Sequence, residues 1–303
     1  MKILAVIPAR AGSKGIPNKN IRLLGKHPLV YYSIHNALTS LYITDVIVTT
    51  DSESVRIIAQ QMGAIVRWRD DSLCGDDITL DAVIYDAIPK NEQWDYVVTM
   101  QPTSPTLSVK TLDKAIQYAI DNNLDTLISA INDPHLSWGI YEGKKVPNYT
   151  IRLNRQYLPP CYKETGAFVI SKASVVSKDT RVGTKVDIFE MPEDESQDID
   201  TFADLHSAAV SINATKVGIY VNGNNKRGIG HIYRALEIAD EFYVKPDIYY
   251  DVNQTDPKVF GMTTHTLIPI NGIAELFDLC KRENYVIFIN DILTTSIDYM
   301  IGL

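Results

Sequence analysis

Residues 2–20 read KILAVIPARAGSKGIPNKN, in which an apolar run is followed at once by a basic turn that contains two glycines. The apolar run ends at Pro8 and has the length and composition of a strand buried on both faces, as in a parallel sheet. Open α/β sheets bind their ligands beyond the carboxyl ends of such strands. The turn after this strand is therefore the first expected ligand site.

Outward from this strand, strand-like and helix-like patterns alternate through two-thirds of the chain, which predicts an α/β fold with a mostly parallel sheet. Strands are predicted at residues 2–8, 46–50, 64–67, 96–100, 126–131 and 166–171. Helices are predicted at residues 28–38, 54–62 and 79–88, around residues 112–120 and after residue 201. Residues 132–163 break the pattern and contain four prolines. Such a long irregular excursion is typical of a functional or oligomerisation segment.

A smaller α/β unit is predicted over residues 216–303, after a first domain of residues 1–212. Its strands are predicted at residues 217–221, 247–251 and 285–289, and its helices at residues 232–242 and 273–281. The first strand leads into Gly228-Ile-Gly-His-Ile-Tyr-Arg234, and a glycine turn that enters a helix is a common phosphate site. His231 could act there as a general base. The alternative is a degenerate or truncated lobe without activity of its own.

Charge and composition narrow the classes of partner. The formal net charge of −8 argues against broad nucleic-acid binding. Six Lys and Arg residues precede the first acidic residue, Asp45, so a small anionic ligand is expected near the start of the chain. Three cysteines without a CxxC pair argue against a disulfide framework or structural zinc and favour a cytoplasmic location. No apolar run has the length of a membrane span, and no signal peptide is recognisable.

The basic turn has the chemistry of a polyphosphate site. Gly12 and Gly15 allow backbone N–H groups to approach a ligand closely. Arg10, Lys14 and Lys19 add positive charge, so that the turn could cradle a triphosphate. Neither a Walker A loop nor a GxGxxG motif is present.

An acidic pair far along the chain has the chemistry of a magnesium site. Asp198 and Asp200 alternate on an extended segment, which places both carboxylates on one side. Mg²⁺ commonly binds through one or two carboxylates together with substrate phosphates. Asp204 lies three residues after Thr201 and is better suited to capping the helix that follows.

These segments resemble the signatures of the N-acylneuraminate cytidylyltransferases, also called CMP–sialic acid synthetases. The turn matches A-R-x-x-S-K-G-[IL]-P-x-K-N, residues 101–105 match Q-P-T-S-P, and residues 198–205 match D-x-D-T-x-x-D-L. The resemblance covers about residues 1–212. It implies a Rossmann-like, mostly parallel sheet of the nucleotide-diphospho-sugar transferase (GT-A-like) type.

The resemblance also implies roles for individual residues. Arg10, Lys14 and Lys19 would be catalytic, and Asp198 and Asp200 would hold Mg²⁺. The nucleotide would be bound by Ala9, Arg10, Gly12, Ser13, Lys14, Asn20, Arg69 and Asp76, with Arg67 and Asp77 as alternatives to the last two and Asp51 as a weaker match. The sugar would be bound by Gln101, Arg155, Thr165 and Gly166.

The implied reaction transfers CMP from CTP to the anomeric hydroxyl of an acidic nine-carbon 2-keto sugar and releases pyrophosphate. The family's dimers imply that residues 132–163 contact a partner subunit in a homodimer. One departure concerns the sugar, because the family usually has Asn where this chain has Thr165. The identity of the acid sugar is therefore open.

The second unit resembles other enzymes. Its Gly-x-Gly-His-x-x-Arg element is similar to that of nucleotide-sugar hydrolases of the pseudaminate pathway and, more loosely, to the first lobe of two-lobed glycosyltransferases. Two alternatives to the cytidylyl transfer therefore stay open: a nucleotide-sugar hydrolase or glycosyltransferase that acts through His231, and a non-catalytic sugar-nucleotide binder.

Overall fold

The computed structural model describes residues 1–13, 15–213, 216–224, 228–242, 244–283, 285–292, 299 and 301. The chain forms two compact units, Met1–Ile212 and Asn213–Leu303. Among the described residues, no helix combines the length and the apolar character that crossing a membrane requires.

The first unit is built on a seven-stranded sheet whose strands follow the order β11-β7-β10-β6-β1-β4-β5. These strands are β1 (Ile3–Pro8), β4 (Asp45–Thr50), β5 (Ile65–Trp68), β6 (Tyr96–Met100), β7 (Thr126–Asn132), β10 (Tyr162–Lys172) and β11 (Val186–Glu190). The remaining strands form two small hairpins, β2 (Leu23–Leu24) with β3 (His27–Pro28) and β8 (Trp138–Tyr141) with β9 (Lys144–Pro147). The helices are α1 (Leu29–Thr39), α2 (Glu53–Met62), α3 (Leu80–Ala87), α4 (Val109–Asp121) and α5 (Phe202–Ile212).

The core lies on both faces of this sheet. Strand β1 is buried along nearly its whole length and pairs in parallel with β4 on one side and β6 on the other. Side chains that cap helix N-termini fix where the helices begin, since Ser52, Thr79 and Ser108 each accept a backbone N–H from the first turn of α2, α3 and α4. The α/β class with a mostly parallel sheet is therefore confirmed.

Strand β10 runs antiparallel to both of its neighbours, β6 and β7. Its register against β7 shifts between Glu164 and Val169, and Gly166 lies inside this irregularity with φ +73°. A positive φ of this size favours glycine because other residues meet steric strain there. The bulge brings the backbone of β10 to the edge of the sheet where β1, β4 and β6 end.

Strand β11 and the hairpins β2–β3 and β8–β9 of the first unit were not predicted. Strand β11 is only partly buried, so its residues show no continuous apolar run. The hairpin β8–β9 lies within the irregular stretch at residues 132–163 and is almost fully exposed on both strands. Its turn uses Glu142 at φ 47° and Gly143 at φ 75°, the backbone conformation of a two-residue hairpin turn.

The second unit contains a four-stranded parallel sheet in the order β14-β13-β12-β15. Its strands are β12 (Val217–Val221), β13 (Asp247–Asp251), β14 (Leu267–Ile270) and β15 (Ile287–Asp291), and its helices are α6 (Gly230–Asp240) and α7 (Ile273–Glu283). Strand β14 was not predicted from the sequence. It contains Pro269 and lies at the sheet edge, where a missing N–H is tolerated.

Candidate active site

The basic turn after β1 is fastened to the end of β4. The Ala11 N–H donates to Asp51 Oδ1 at 2.6 Å, and the Asn20 side-chain amide donates to the Arg10 carbonyl at 2.9 Å. The loop is thus fixed at both ends. Asn20, expected to contact nucleotide, braces the loop in this structure.

Two arginines lie beneath and beside this loop. Arg69 is only 4% exposed and donates to the Thr49 carbonyl at 3.0 Å. Burial lowers the pKa of its guanidinium, while the nearby Asp51 carboxylate acts in the opposite direction. Arg10 is more exposed and its Nη1 lies 2.8 Å from Asp76 Oδ1. Of the alternatives, Arg67 is more exposed and faces Asp86 at 3.4 Å.

The loop meets the acidic segment directly. Lys19 Nζ donates to the Ile199 carbonyl at 2.8 Å and lies 3.3 Å from Asp200 Oδ1. A Cβ built on Gly15 would overlap the backbone carbonyl of Asp200, so only glycine permits this close approach. Residues separated by 180 positions in the sequence therefore form one wall of a common site.

The second carboxylate, that of Asp198, lies beside the expected sugar residues. Gly166 packs against Gln101 and Asp198, since a Cβ on this glycine would lie 3.2 Å from Gln101 Nε2 and 3.9 Å from Asp198 Oδ2. The Ile199 N–H donates to the Thr103 carbonyl at 2.9 Å, which fastens the acidic segment to the turn after β6. Burial is the main cause that raises the pKa of the Asp198 carboxyl, and the neighbouring Asp200 carboxylate adds to the effect.

Not every expected residue lies in this cluster. Lys14 lies outside the described residues. Arg155 is on the excursion, is 69% exposed, and its nearest described ion pair is with Asp133 at 3.7 Å. Thr165 is buried and its hydroxyl lies 2.8 Å from the Ser129 hydroxyl, so it holds the β10 bulge and does not project into the site.

The remaining nucleotide residues follow the course of the loop. Ala9 is fully buried where β1 ends, Ser13 is half-buried, and a Cβ on Gly12 would meet open space. Sequence reasoning gave Asp51 only as a weak match, and it gave no role to Thr103 although this residue lies in the motif at residues 101–105; in the structure its carbonyl and side chain contact the acidic segment. The position of Asp51 directly after the buried strand β4 was the sequence feature that could have identified it as a site residue.

The carboxylates of the acidic segment suit a cation that is also bound by a ligand. Among the described residues, no group of three or more His, Cys, Asp or Glu side chains is arranged to hold a metal alone. Asp198 and Asp200 offer hard carboxylate oxygens on one segment, and Mg²⁺ commonly completes such a pair with substrate phosphates. The residues present therefore fit Mg²⁺ when a polyphosphate is bound.

The second unit has a separate polar cluster where β12 and β15 end. His231 Nδ1 contacts Asp291 Oδ1, and Arg234 Nε donates to Asp291 Oδ2 at 2.7 Å. Burial alone would raise the pKa of Asp291, but the hydrogen bonds from Arg234 and His231 outweigh it and lower the pKa. This arrangement fixes the imidazole by a buried carboxylate.

The first unit is similar in sequence to known cytidylyltransferases. A family described as cytidylyltransferase matches residues 4–195. The pseudaminic acid cytidylyltransferase of Campylobacter jejuni is 32% identical over 69% of this chain and 96% of its own length. The CMP-N,N'-diacetyllegionaminic acid synthase of Legionella pneumophila is 41% identical over 39% of this chain and 53% of its own length. The N-acylneuraminate cytidylyltransferase of Streptococcus agalactiae is 28% identical over 68% of this chain and 52% of its own length. The matched region therefore spans about half the length of each of the last two relatives.

Solved structures share the fold at lower identity. A CMP:2-keto-3-deoxy-manno-octonic acid synthetase solved with CTP has a TM-score of 0.54 and 16% identity over 70% of this chain and 98% of that one. A 4-diphosphocytidyl-2C-methyl-D-erythritol synthase has a TM-score of 0.52 and 11% identity, again over 70% of this chain and 98% of that one. The family match ends before the second unit. The chain therefore belongs to the cytidylyltransferase family and is a nucleotidyltransferase.

Proposed function

We propose that the protein transfers CMP from CTP to the anomeric hydroxyl of an acidic nine-carbon 2-keto sugar and releases pyrophosphate. The observation that carries the proposal is the meeting of the cationic loop with the acidic segment, where Lys19 and Gly15 contact Asp200. Phosphates bound along this wall would contact the cations of the loop and lie beside carboxylates suited to Mg²⁺.

The chain's residues would act mainly by positioning and by neutralising charge. The reaction is an in-line displacement at the α-phosphorus, in which catalysis comes largely from these two effects. Arg10, Lys14 and Lys19 would bind the triphosphate and stabilise the leaving pyrophosphate. Asp198 and Asp200 would hold Mg²⁺, which supplies a charge that neutralises phosphate oxygens.

The sugar would lie on the opposite side of Asp198. Gln101 and Gly166 line this part of the site, and Thr165 would shape it through the bulge. Arg155 would bind the sugar carboxylate, for which its guanidinium offers two parallel donors. The three sequence relatives above are named for pseudaminic acid, N,N'-diacetyllegionaminic acid and N-acylneuraminate, so we place the proposed acceptor in this class.

We propose further that the enzyme works in the cytoplasm as a homodimer that is formed through the excursion at residues 132–163. Large apolar side chains that would otherwise face water are concentrated there, and a patch of this kind marks an interaction site. More than half of the surface of each of the following is exposed: Trp138, Ile140, Tyr141, Ile151 and Tyr157.

The test is to incubate the protein with Mg²⁺, CTP and, in turn, N-acetylneuraminate, its deaminated analogue, legionaminate and pseudaminate, and to follow pyrophosphate. We expect pyrophosphate and a CMP-sugar with at least one sugar, and far less with ATP, GTP or UTP. CTP binding without pyrophosphate under every sugar would instead indicate a non-catalytic binder and refute the proposal.

A second candidate function concerns the other unit. The buried Asp291 carboxylate that holds His231 favours a general base at the carboxyl edge of that sheet. The reaction would be hydrolysis of, or glycosyl transfer from, a nucleotide sugar. Its test is consumption of a nucleotide sugar without CTP, which His231→Ala should abolish. Unchanged consumption in that variant would rule out this role.

A further inference from the structure

Lys19 occupies an unusual position for a residue that is to bind a triphosphate. Its side chain is only 15% exposed, and its Nζ donates to the Ile199 carbonyl at 2.8 Å and lies 3.3 Å from Asp200 Oδ1. Ile199 stands between the two proposed metal ligands. The ammonium is therefore held by oxygen atoms of the very segment that would hold a divalent cation.

The two cations would compete for the same charge. Asp200 is 75% exposed and accessible to an ion from solvent, whereas Lys19 lies against it from the protein side. Like charges a few ångströms apart repel, and they do so more strongly where the site is partly buried. An ion on Asp200 would therefore bind more weakly while the ammonium of Lys19 remains in contact with this carboxylate.

A polyphosphate offers Lys19 a second partner. When phosphate oxygens occupy the loop, the ammonium can move from Asp200 to them, and the acidic pair regains its full negative charge. The metal and the nucleotide would then each favour the binding of the other, and this coupling must be reciprocal.

We infer that Lys19 is a place-holding cation, which neutralises the acidic pair in the nucleotide-free protein and yields this place to a divalent ion when nucleotide binds. The inference rests on the proposed function, because it takes the same metal ligands. Beyond that function, we expect the nucleotide-free protein to bind the metal weakly because the side chain of Lys19 neutralises the acidic pair.

The test is a titration of nucleotide-free protein with Mn²⁺, with the free ion followed by electron paramagnetic resonance. Lys19→Met removes the competing charge, so we expect this variant to bind Mn²⁺ about tenfold or more tightly than the wild type. Lys19→Arg keeps a positive charge and should bind as weakly as the wild type. Lys26→Met is a matched control, because Lys26 is an exposed lysine of the same region and its loss should change nothing.

Asp200→Asn in the Lys19→Met background should remove the gain, which would place the bound ion on this carboxylate. Equal Mn²⁺ affinity in the wild type and Lys19→Met would overturn the exchange, and the proposed function would still stand if pyrophosphate were released from CTP. Absence of Mn²⁺ binding in every variant, with or without CTP, would overturn both. Circular dichroism of each variant checks that it is folded.

Discussion

At the scale of single residues, the side chains that the motifs single out and those that hold them in place differ in how they are recognised. Arg10, Lys19, Asp198 and Asp200 carry charge at motif positions, so the sequence alone predicts them as site residues. Ser129 lies in no motif, and Thr103 lies in the motif at residues 101–105; both act through hydrogen bonds with residues far away in the sequence, which local sequence does not predict. The role of Thr165 in holding the β10 bulge could not be predicted from the sequence for the same reason.

Lys19→Ala should lower turnover by about 10²-fold or more, which is typical of removing one group that stabilises transition-state charge. Release of pyrophosphate from CTP at saturating sugar is the measurement. Turnover near that of the wild type would contradict the role given to Lys19.

Asp200→Asn should abolish metal-dependent activity while the protein stays folded. The side chain is 75% exposed, and exposed substitutions usually change stability by only about 0.5 kcal/mol. Activity measured against Mg²⁺ concentration, together with a thermal melt, tests this. An unchanged Mg²⁺ dependence would show that the metal is held elsewhere.

At the scale of elements, fully buried strands were predicted most accurately, and the largely exposed β5 was also predicted, whereas the exposed hairpin β8–β9 was not. Strands β1, β4 and β6 are rich in apolar and β-branched residues because both of their faces are covered, and they begin and end within about a residue or two of their predicted bounds. The hairpin β8–β9 buries neither face, so hydrophobic periodicity gives no signal for it. Pairing direction is also absent from local sequence, which is why the antiparallel course of β10 emerged only from the structure.

Gly15→Ala should displace the loop from the acidic segment, because its Cβ would overlap the Asp200 carbonyl. Misplacing catalytic groups by about 1 Å can cost about 10²-fold, and we expect kcat/KM for CTP to fall on that scale. Gly75→Ala is a suitable control, since its Cβ would make an ordinary contact at 3.6 Å with Ile78. A similar kcat/KM in both variants would show that the close approach at Gly15 is not required.

Asp125 should make the stability of the first unit depend on pH. The Lys185 backbone N–H, the Lys172 ammonium and Thr184 all donate to this carboxylate and hold its pKa far below the ordinary value. A lowered pKa stabilises the folded state above the unfolded pKa of about 3.9, and this stabilisation is lost as the pH falls below it.

Asp125→Asn should therefore be less stable than the wild type at pH 7, and the difference should shrink as the pH is lowered from about 5 towards 2. Denaturant unfolding of both proteins across this range is the measurement. A difference that stays constant with pH would mean that the charge of Asp125 contributes nothing.

At the scale of the whole molecule, the sequence indicates two units, and the family accounts for only the first of them. The fold class and the family follow from motifs spread along residues 1–212. The exposed apolar side chains of the excursion had no local explanation in the sequence beyond its irregularity. Their exposure is what gives the predicted dimer a physical basis.

Ile140→Glu should convert a dimer into a monomer, because its side chain is 77% exposed and would place a charge in an apolar interface. Leu41→Glu is the matched control, since Leu41 is 87% exposed but lies outside the excursion. Sedimentation equilibrium at micromolar concentration distinguishes these outcomes. A wild-type protein that is monomeric at that concentration would contradict the proposed dimer.

The proposed reaction depends most on one site that is shared by the cationic loop and the acidic pair. Crystals grown with Mn²⁺ and a non-hydrolysable analogue of CTP would locate the ion by its anomalous scattering. We predict one peak, from an ion bound by the Asp198 and Asp200 carboxylates and by phosphate oxygens, with the phosphates on Arg10 and Lys19. An ion or a triphosphate found elsewhere on the molecule would contradict this prediction.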